Sequence, residues 1–245
     1  MNAQEKIMKF QKSCFINYIS YLQKEIEGFP KPYLYPDGNP IRPVLPVQTA
    51  INKIMVVGAF PSARFEKRNN MLIPVGDNLS PFGPEKYFNG QKIMIQESAE
   101  SLYKNYFQPL GLNIEDLWIT DIVKIYLYPE KHIRNCKKLF PNQKYVNTHK
   151  MFEEIANISY KWFLTELEIC KPKLIITLGE VAGKILTQTK TPMLDGIIRP
   201  MTNIPDISIV HFVHPEFLRR QPNSEKSKQT LSQLIKLKNE MKKYI

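Results

Sequence analysis

Four short apolar runs constrain this chain more than any other feature: residues 53–58 (KIMVVG), 117–123 (LWITDIV), 173–178 (KLIITL) and 207–213 (ISIVHFV). Each is apolar on both alternating faces, the pattern of a strand covered on both sides. Helical periodicity fills the gaps between them, at about 95–108, at about 151–170 (Phe152, Ile155, Phe163 and Leu167 on one stripe), at 180–188 and at 224–243. Strands alternating with helices predict an α/β protein, with a short central parallel sheet between two helical layers. Ligands of such sheets sit beyond the carboxyl ends of the strands, so functional residues are expected just after each run.

Residues 2–26 precede this frame as an amphipathic helix with Ile7, Phe10, Cys14, Tyr18 and Leu22 at three- and four-residue steps, ended by Gly28 and Pro30. Pro30, Pro32, Pro36, Pro40, Pro43 and Pro46 then forbid a helix or a central strand and predict an extended arm laid over a surface. Helix and arm (residues 1–50) read as a decoration on one domain that spans residues 1–245.

Composition narrows the class. A hydrophobic content of 43% excludes a disordered chain, and no apolar run is long enough to span a membrane. The first ten residues, MNAQEKIMKF, carry charges where an export signal needs an apolar stretch. Cys14, Cys136 and Cys170 lie far apart with no C-x-x-C pair, which excludes a disulfide scaffold and a local cysteine-based metal site. A reduced, cytoplasmic protein is expected. Thirty-four lysines and arginines against 23 acids leave a net charge of +11, which suits a polyanionic partner or a merely solubilising surface.

Three strand ends carry the candidate chemistry. Gly58-Ala59-Phe60-Pro61-Ser62 is a tight turn that offers backbone N–H groups to an anion or water, or is a purely structural junction. Asp121 interrupts a buried strand, where a carboxylate must be paired, and reads either as a cap or as an acceptor that reads a ligand. His214-Pro215-Glu216-Phe217-Leu218-Arg219-Arg220 follows the last strand. Its imidazole can stabilise a developing anion, its Phe217 and Leu218 can wedge between bases, and its arginines can hold phosphates. His211 reads as a strand residue and His149 as structural. Residues 125–146 mix Lys131, His132, Arg134, Lys137, Lys138 and Lys144 with Tyr126, Tyr128, Phe140 and Tyr145, a mixture that suits single-stranded or flipped DNA or a solvated loop. The lysines of the C-terminal helix read as a solvated face.

Taken in order, GAFPS at 58–62, TDIVK at 120–124, PKLIITLGEVAGKIL at 172–186 and HPEFLRR at 214–220 resemble the uracil-DNA glycosylase superfamily over residues 53–220. The resemblance implies a three-layer α/β/α sandwich, a monomeric DNA-repair hydrolase, and a base flipped out of DNA into a pocket at the carboxyl end of the sheet. It assigns stabilisation of the departing base to His214, filling of the vacated duplex to Leu218, and DNA contacts to Lys124, Arg219 and Arg220. It places Gly58, Ala59, Phe60, Pro61, Ser62, Phe82 and Asp121 around the base, with Phe60 or Phe82 in the stacking role. Neither a cofactor nor a metal is implied, because the iron–sulfur branch needs four cysteines. Two departures bear on mechanism. Ala59 stands where several branches carry an acid or amide, which makes Asp77 the candidate water-positioning carboxylate. Asp121 stands where an asparagine reads uracil. An ionised aspartate only accepts hydrogen bonds, so the base read is altered or Asp121 is protonated. The alternative is a catalytically weak or inactive relative that binds DNA or a nucleobase-like ligand.

Overall fold

The computed structural model describes residues 1–83, 86–88, 91–95, 97–188 and 194–245. Helix α1 (Ala3–Glu25) opens the chain with a capping box, in which Asn2 accepts from the Glu5 N–H and Glu5 accepts from the Asn2 N–H. The stripe of Ile7, Phe10, Cys14, Tyr18 and Leu22 is buried, as its spacing predicts. Strand β1 (Ile54–Gly58) leads into an antiparallel hairpin, β2 (Ala63–Arg68) and β3 (Met71–Asp77), and a smaller one, β4 (Lys86–Phe88) and β5 (Ile93–Ile95). Helix α2 (Glu97–Leu102) passes through a π turn (Tyr103–Phe107) into α3 (Gln108–Leu110). Residue 96, within the predicted helical stretch, lies outside the described residues. Then come β6 (Leu117–Asp121), α4 (Glu130–Leu139), α5 (Phe152–Cys170), β7 (Leu174–Leu178), α6 (Glu180–Thr187), β8 (Arg199–Met201), β9 (Ile204–Phe212), α7 (Pro215–Arg220) and α8 (Glu225–Met241).

The main sheet has the order β6-β1-β7-β9-β8. Its first four strands are parallel and correspond to the four apolar runs; β8 adds an antiparallel edge that the sequence did not signal. Alternate residues feed two cores. Met55, Val57, Trp118 and Ile175 face α1, α4, α5 and α6, whereas Ile54, Val56, Leu117, Ile119 and Ile176 face α2, α3, α7 and α8. The result is the expected α/β/α sandwich.

The proline-rich arm departs from the expectation of a surface layer. Phe29, Tyr33, Tyr35 and Ile41 are buried in the first core, and Val44 is buried as well. Val47 exchanges backbone hydrogen bonds with Ile119 (both 3.0 Å) and so covers the open edge of β6. The 125–146 segment also divides. Tyr126 and Tyr128 turn into the core, whereas Lys131, Arg134, Lys137, Lys138 and Lys144 are exposed. Those two tyrosines are therefore not free to stack on bases.

Lys124 and Glu166 form a fully buried ion pair between the end of β6 and α5. Glu166 also accepts from Trp118 Nε1 at 2.8 Å, and Lys124 donates to Thr120 Oγ1 at 2.7 Å and to the Asp121 carbonyl. Removing one partner strands the other charge in a low-dielectric interior. Lys124→Met or Glu166→Leu alone should therefore cost about 3–5 kcal/mol in urea unfolding, and the double variant should recover most of that loss.

Candidate active site

The carboxyl ends of β1, β6 and β9 converge, and glycine makes the convergence possible. Gly58 lies level with Asp121 in the β1–β6 register. A Cβ on Gly58 would fall on Asp121 Oδ1 and within 2.7 Å of Phe82 Cε2, so only a glycine lets the carboxyl group and the ring close over this point. Phe82 takes a left-handed backbone, with φ of +51°, uncommon for a bulky L-residue. Its ring centroid stands 5.9 Å from that of His214. Behind His214, Gly179 takes a left-handed φ of +94°, a conformation that favours glycine, and a Cβ there would just touch the Cβ of His214, at 3.4 Å. Gly58, Asp121, Phe82 and His214 thus form one continuous group.

Asp121 is 2% exposed, and its Oδ1 has no hydrogen-bond partner among the described residues. Burial pushes its pKa up to about 7; Lys124 opposes the shift and Glu166 adds to it. A carboxyl group that is orphaned, desolvated and poised near neutrality has an unmet capacity to bind something polar.

His214 is the N-cap of α7, and its Nδ1 accepts from the Glu216 N–H at 3.2 Å. Although the ring is exposed at one face, its surroundings desolvate it and lower its pKa; Glu216 opposes this and Arg220 adds to it. The imidazole is therefore neutral at neutral pH, and acceptance at Nδ1 puts its proton on Nε2. His211 lies inside β9 with its Nδ1 2.5 Å from Thr177 Oγ1, as a strand residue should.

Asp77 ends β3, opposite Ala63 in the hairpin that begins just beyond the Gly58 turn. Its Oδ1 accepts from the Tyr35 hydroxyl at 2.8 Å and its Oδ2 from the Arg42 backbone N–H at 3.1 Å. Burial raises its pKa, against the pull of Tyr35, Arg42 and Arg64. In the turn itself Ala59 is half-buried, Pro61 buried and Ser62 exposed. Phe60 packs against Phe152 (5.6 Å) and His149 (5.4 Å), on the α5 side.

Two DNA-contact expectations need correction. Lys124 is wholly buried and spends its three N–H donors on Thr120, Asp121 and Glu166, so none is left for a phosphate. Leu218 is 4% exposed and belongs to the second core, so it cannot reach a duplex while α7 stays docked; Phe217 is the half-buried apolar residue of that turn. Arg219 and Arg220 are exposed as expected. Arg219 is held by Glu216 and Glu97, whereas Arg220 pairs with Glu216 alone among the described residues and is the more exposed.

Sequence reasoning missed Glu166, Tyr35 and Gly179. Glu166 carried a legible signal, since it falls on the buried stripe of α5, three residues after Phe163 and four before Cys170. Among the described residues no group of three or more His, Cys, Asp or Glu is placed to hold a metal ion, and no helix is long and apolar enough to cross a membrane.

Comparison with known proteins identifies a family. The sequence profile of the family described as the uracil DNA glycosylase superfamily matches residues 48–238. A search of curated proteins gave no match. Among solved structures, that of wild-type SMUG2 from Pedobacter heparinus is 14% identical, with 79% of this chain and 77% of that one covered and a TM-score of 0.47.

An aspartate whose pKa is raised by folding binds a proton that the unfolded chain releases between about pH 4 and about 7, so stability should fall as pH rises through that window. Asp121→Asn abolishes the titration. Urea unfolding at pH 5 and pH 8 should show a loss on the order of 2–3 kcal/mol in the wild type that is absent from the variant.

Proposed function

We propose, from the premise that this chain belongs to the uracil DNA glycosylase superfamily, that it is a DNA glycosylase that extrudes a damaged or modified base into the pocket at the ends of β1, β6 and β9 and hydrolyses its N-glycosidic bond. The reading rests on the orphaned, buried carboxyl group of Asp121 beside Gly58, Phe82 and His214.

The base enters the pocket against Phe82, whose flat face suits stacking. Its Watson–Crick edge meets Asp121. A protonated Asp121 accepts from N3–H and donates to O4, which is a match for uracil. An ionised Asp121 only accepts and favours a base that carries an amino group at that edge. As the glycosidic bond breaks, its electron pair departs with the base, and the Nε2–H of neutral His214 donates to the base oxygen that gains charge. Asp77 orients a water whose oxygen bonds to the sugar carbon, and the water's proton passes to that carboxylate. Ala59 has no group for this task. The Gly58–Ser62 turn frames the base from below, and Phe60 braces the turn from the α5 side. Arg220, with Arg219 beside it, contacts the phosphate backbone. We read the protein as a cytoplasmic monomer, consistent with three free, buried cysteines.

A panel of oligonucleotides carrying uracil, cytosine, hypoxanthine, xanthine and modified pyrimidines tests the reading. Above pH 7 the preference for uracil over amino-bearing bases should fall about tenfold per pH unit, as Asp121 loses its proton. Asp121→Asn should cleave uracil with no such dependence. Full-efficiency cleavage of uracil alone, with the same rate at pH 6 and pH 8.5, would sink the altered reading of the base.

A second reading, a glycosylase-fold protein that binds DNA or a nucleobase-like ligand without cleaving it, is favoured by Ala59 and by the prior engagement of both Asp77 oxygens. It predicts binding with no cleavage on any member of the panel.

Arg220→Ala should weaken DNA binding and lower the log–log salt slope by about 0.9, the value for one phosphate contact. Arg219→Ala should do less, because two carboxylates already engage it. Loss of Lys236 and Lys242 on and after α8 should leave the slope nearly unchanged. Filter-binding titrations across salt concentrations read all three.

A further inference from the structure

We infer that the N-terminal arm completes the active site, with Tyr35 as the positioning residue that orients the Asp77 carboxylate. The inference rests on the glycosylase reading of Asp77. The arm precedes residue 48, where the family match begins, so this contribution comes from outside the shared core.

Both hydrogen bonds to the carboxylate come from the arm: the Tyr35 hydroxyl to Oδ1 and the Arg42 N–H to Oδ2. They cross a large stretch of sequence to reach the end of β3. The hydroxyl is held in place by packing. Tyr35 is 1% exposed, and its ring stacks on Tyr126 at 6.0 Å with 25° between planes. Its backbone is fixed by a short turn, with the Tyr35 N–H donating to Asn39 O at 2.8 Å and the Gly38 N–H to Tyr35 O at 2.9 Å. On either side the arm is pinned again. The Tyr33 hydroxyl donates to Tyr126 O at 2.7 Å, Gln143 Nε2 donates to Pro36 O at 2.7 Å, and the Val44 N–H donates to Lys124 O at 2.6 Å. The last contact ties the arm to the segment that leaves Asp121.

Two donors fix the carboxylate plane and leave one lone pair on each oxygen for a water. A loose carboxylate would hold that water in many orientations; a fixed one presents it in few, which is how positioning lowers a barrier. The hydrogen bond also favours the charged form, in opposition to burial, which on balance raises the Asp77 pKa. The groups facing Asp77 are Tyr35 and Arg42 from the arm and Arg64 from β2. Burial and the neighbouring Asp77 charge raise the Tyr35 pKa well above its ordinary value, so the phenol stays a donor throughout the working range.

Tyr35→Phe in the full chain keeps the stacked ring and deletes only the hydroxyl. Single-turnover cleavage should slow about tenfold, the value of one hydrogen bond worth about 1.4 kcal/mol, while DNA affinity stays the same. The acid limb of the rate–pH profile should move to higher pH. In an Asp77→Asn background the same substitution should cost nothing further. A carboxyl NMR titration of Asp77 reads the effect without activity: its midpoint should rise in Tyr35→Phe. Wild-type rate and midpoint in Tyr35→Phe, or an equal loss in both backgrounds, would overturn the inference. A lower melting temperature with an unmoved pH profile and midpoint would make Tyr35 merely structural and overturn it as well. Failure of the underlying reading looks different: Asp77→Asn would then cleave at the wild-type rate, whatever Tyr35→Phe does.

Discussion

The buried pair of Lys124 and Glu166 is the constraint on which the rest of the site depends. A lysine ammonium in the interior must find acceptors for its three donors, and it finds them on the strand it follows and on α5. Its backbone is claimed as well: its N–H donates to the Tyr18 hydroxyl of α1 at 3.0 Å, and its carbonyl accepts from Val44 of the arm. One residue thereby joins β6, α5, α1 and the arm. The charges also act on Asp121 with opposite signs, Lys124 lowering its pKa and Glu166 raising it, and burial, the largest cause, sets the upward direction.

What the site contains is matched by what it omits. Gly58 leaves the space that Asp121 and Phe82 fill, and Gly179 supplies a left-handed backbone beside His214 that an L side chain would strain. Phe82 itself lies in the left-handed region, where a side chain of its size is strained. Strain at one residue is tolerated because the flanking sheet is over-determined: every residue of β1, β6 and β7 is buried.

The central sheet was legible because burial on both faces leaves a run of apolar residues that nothing else in the chain imitates. The hairpins were not. β2 reads ARFEKR and β3 reads MLIPVGD, half-buried stretches whose polar residues and proline hide the alternation. β8, three residues with a proline, is recruited by β9 rather than specified by itself. In the site, Gly58, Asp121 and His214 could be found by position alone, since strand ends are where α/β sheets bind ligands. The fates of Lys124 and Leu218 could not, because sequence gives a residue's place on a strand or turn but not whether its side chain meets solvent or a partner. Tyr35 was invisible for another reason: its function depends on a contact 42 residues away, from a segment with no periodicity.

That distinction also changes the meaning of the net charge of +11. A formal surplus counts Lys124 and Arg219 equally with every other cation, yet Glu166 cancels the first inside the core, and Glu97 and Glu216 engage the second at the surface. The field at the surface is built from the cations that remain least paired, and Arg220, 70% exposed and paired among the described residues with Glu216 alone, contributes more to it than its neighbour. Glu216 is then more than a diluent of positive charge. Its N–H donates to His214 Nδ1 while its carboxylate holds both arginines. One residue of α7 thus joins the imidazole to both cations, and the order His-Pro-Glu-Phe-Leu-Arg-Arg itself sets the three- and four-residue spacing of those arginines from Glu216.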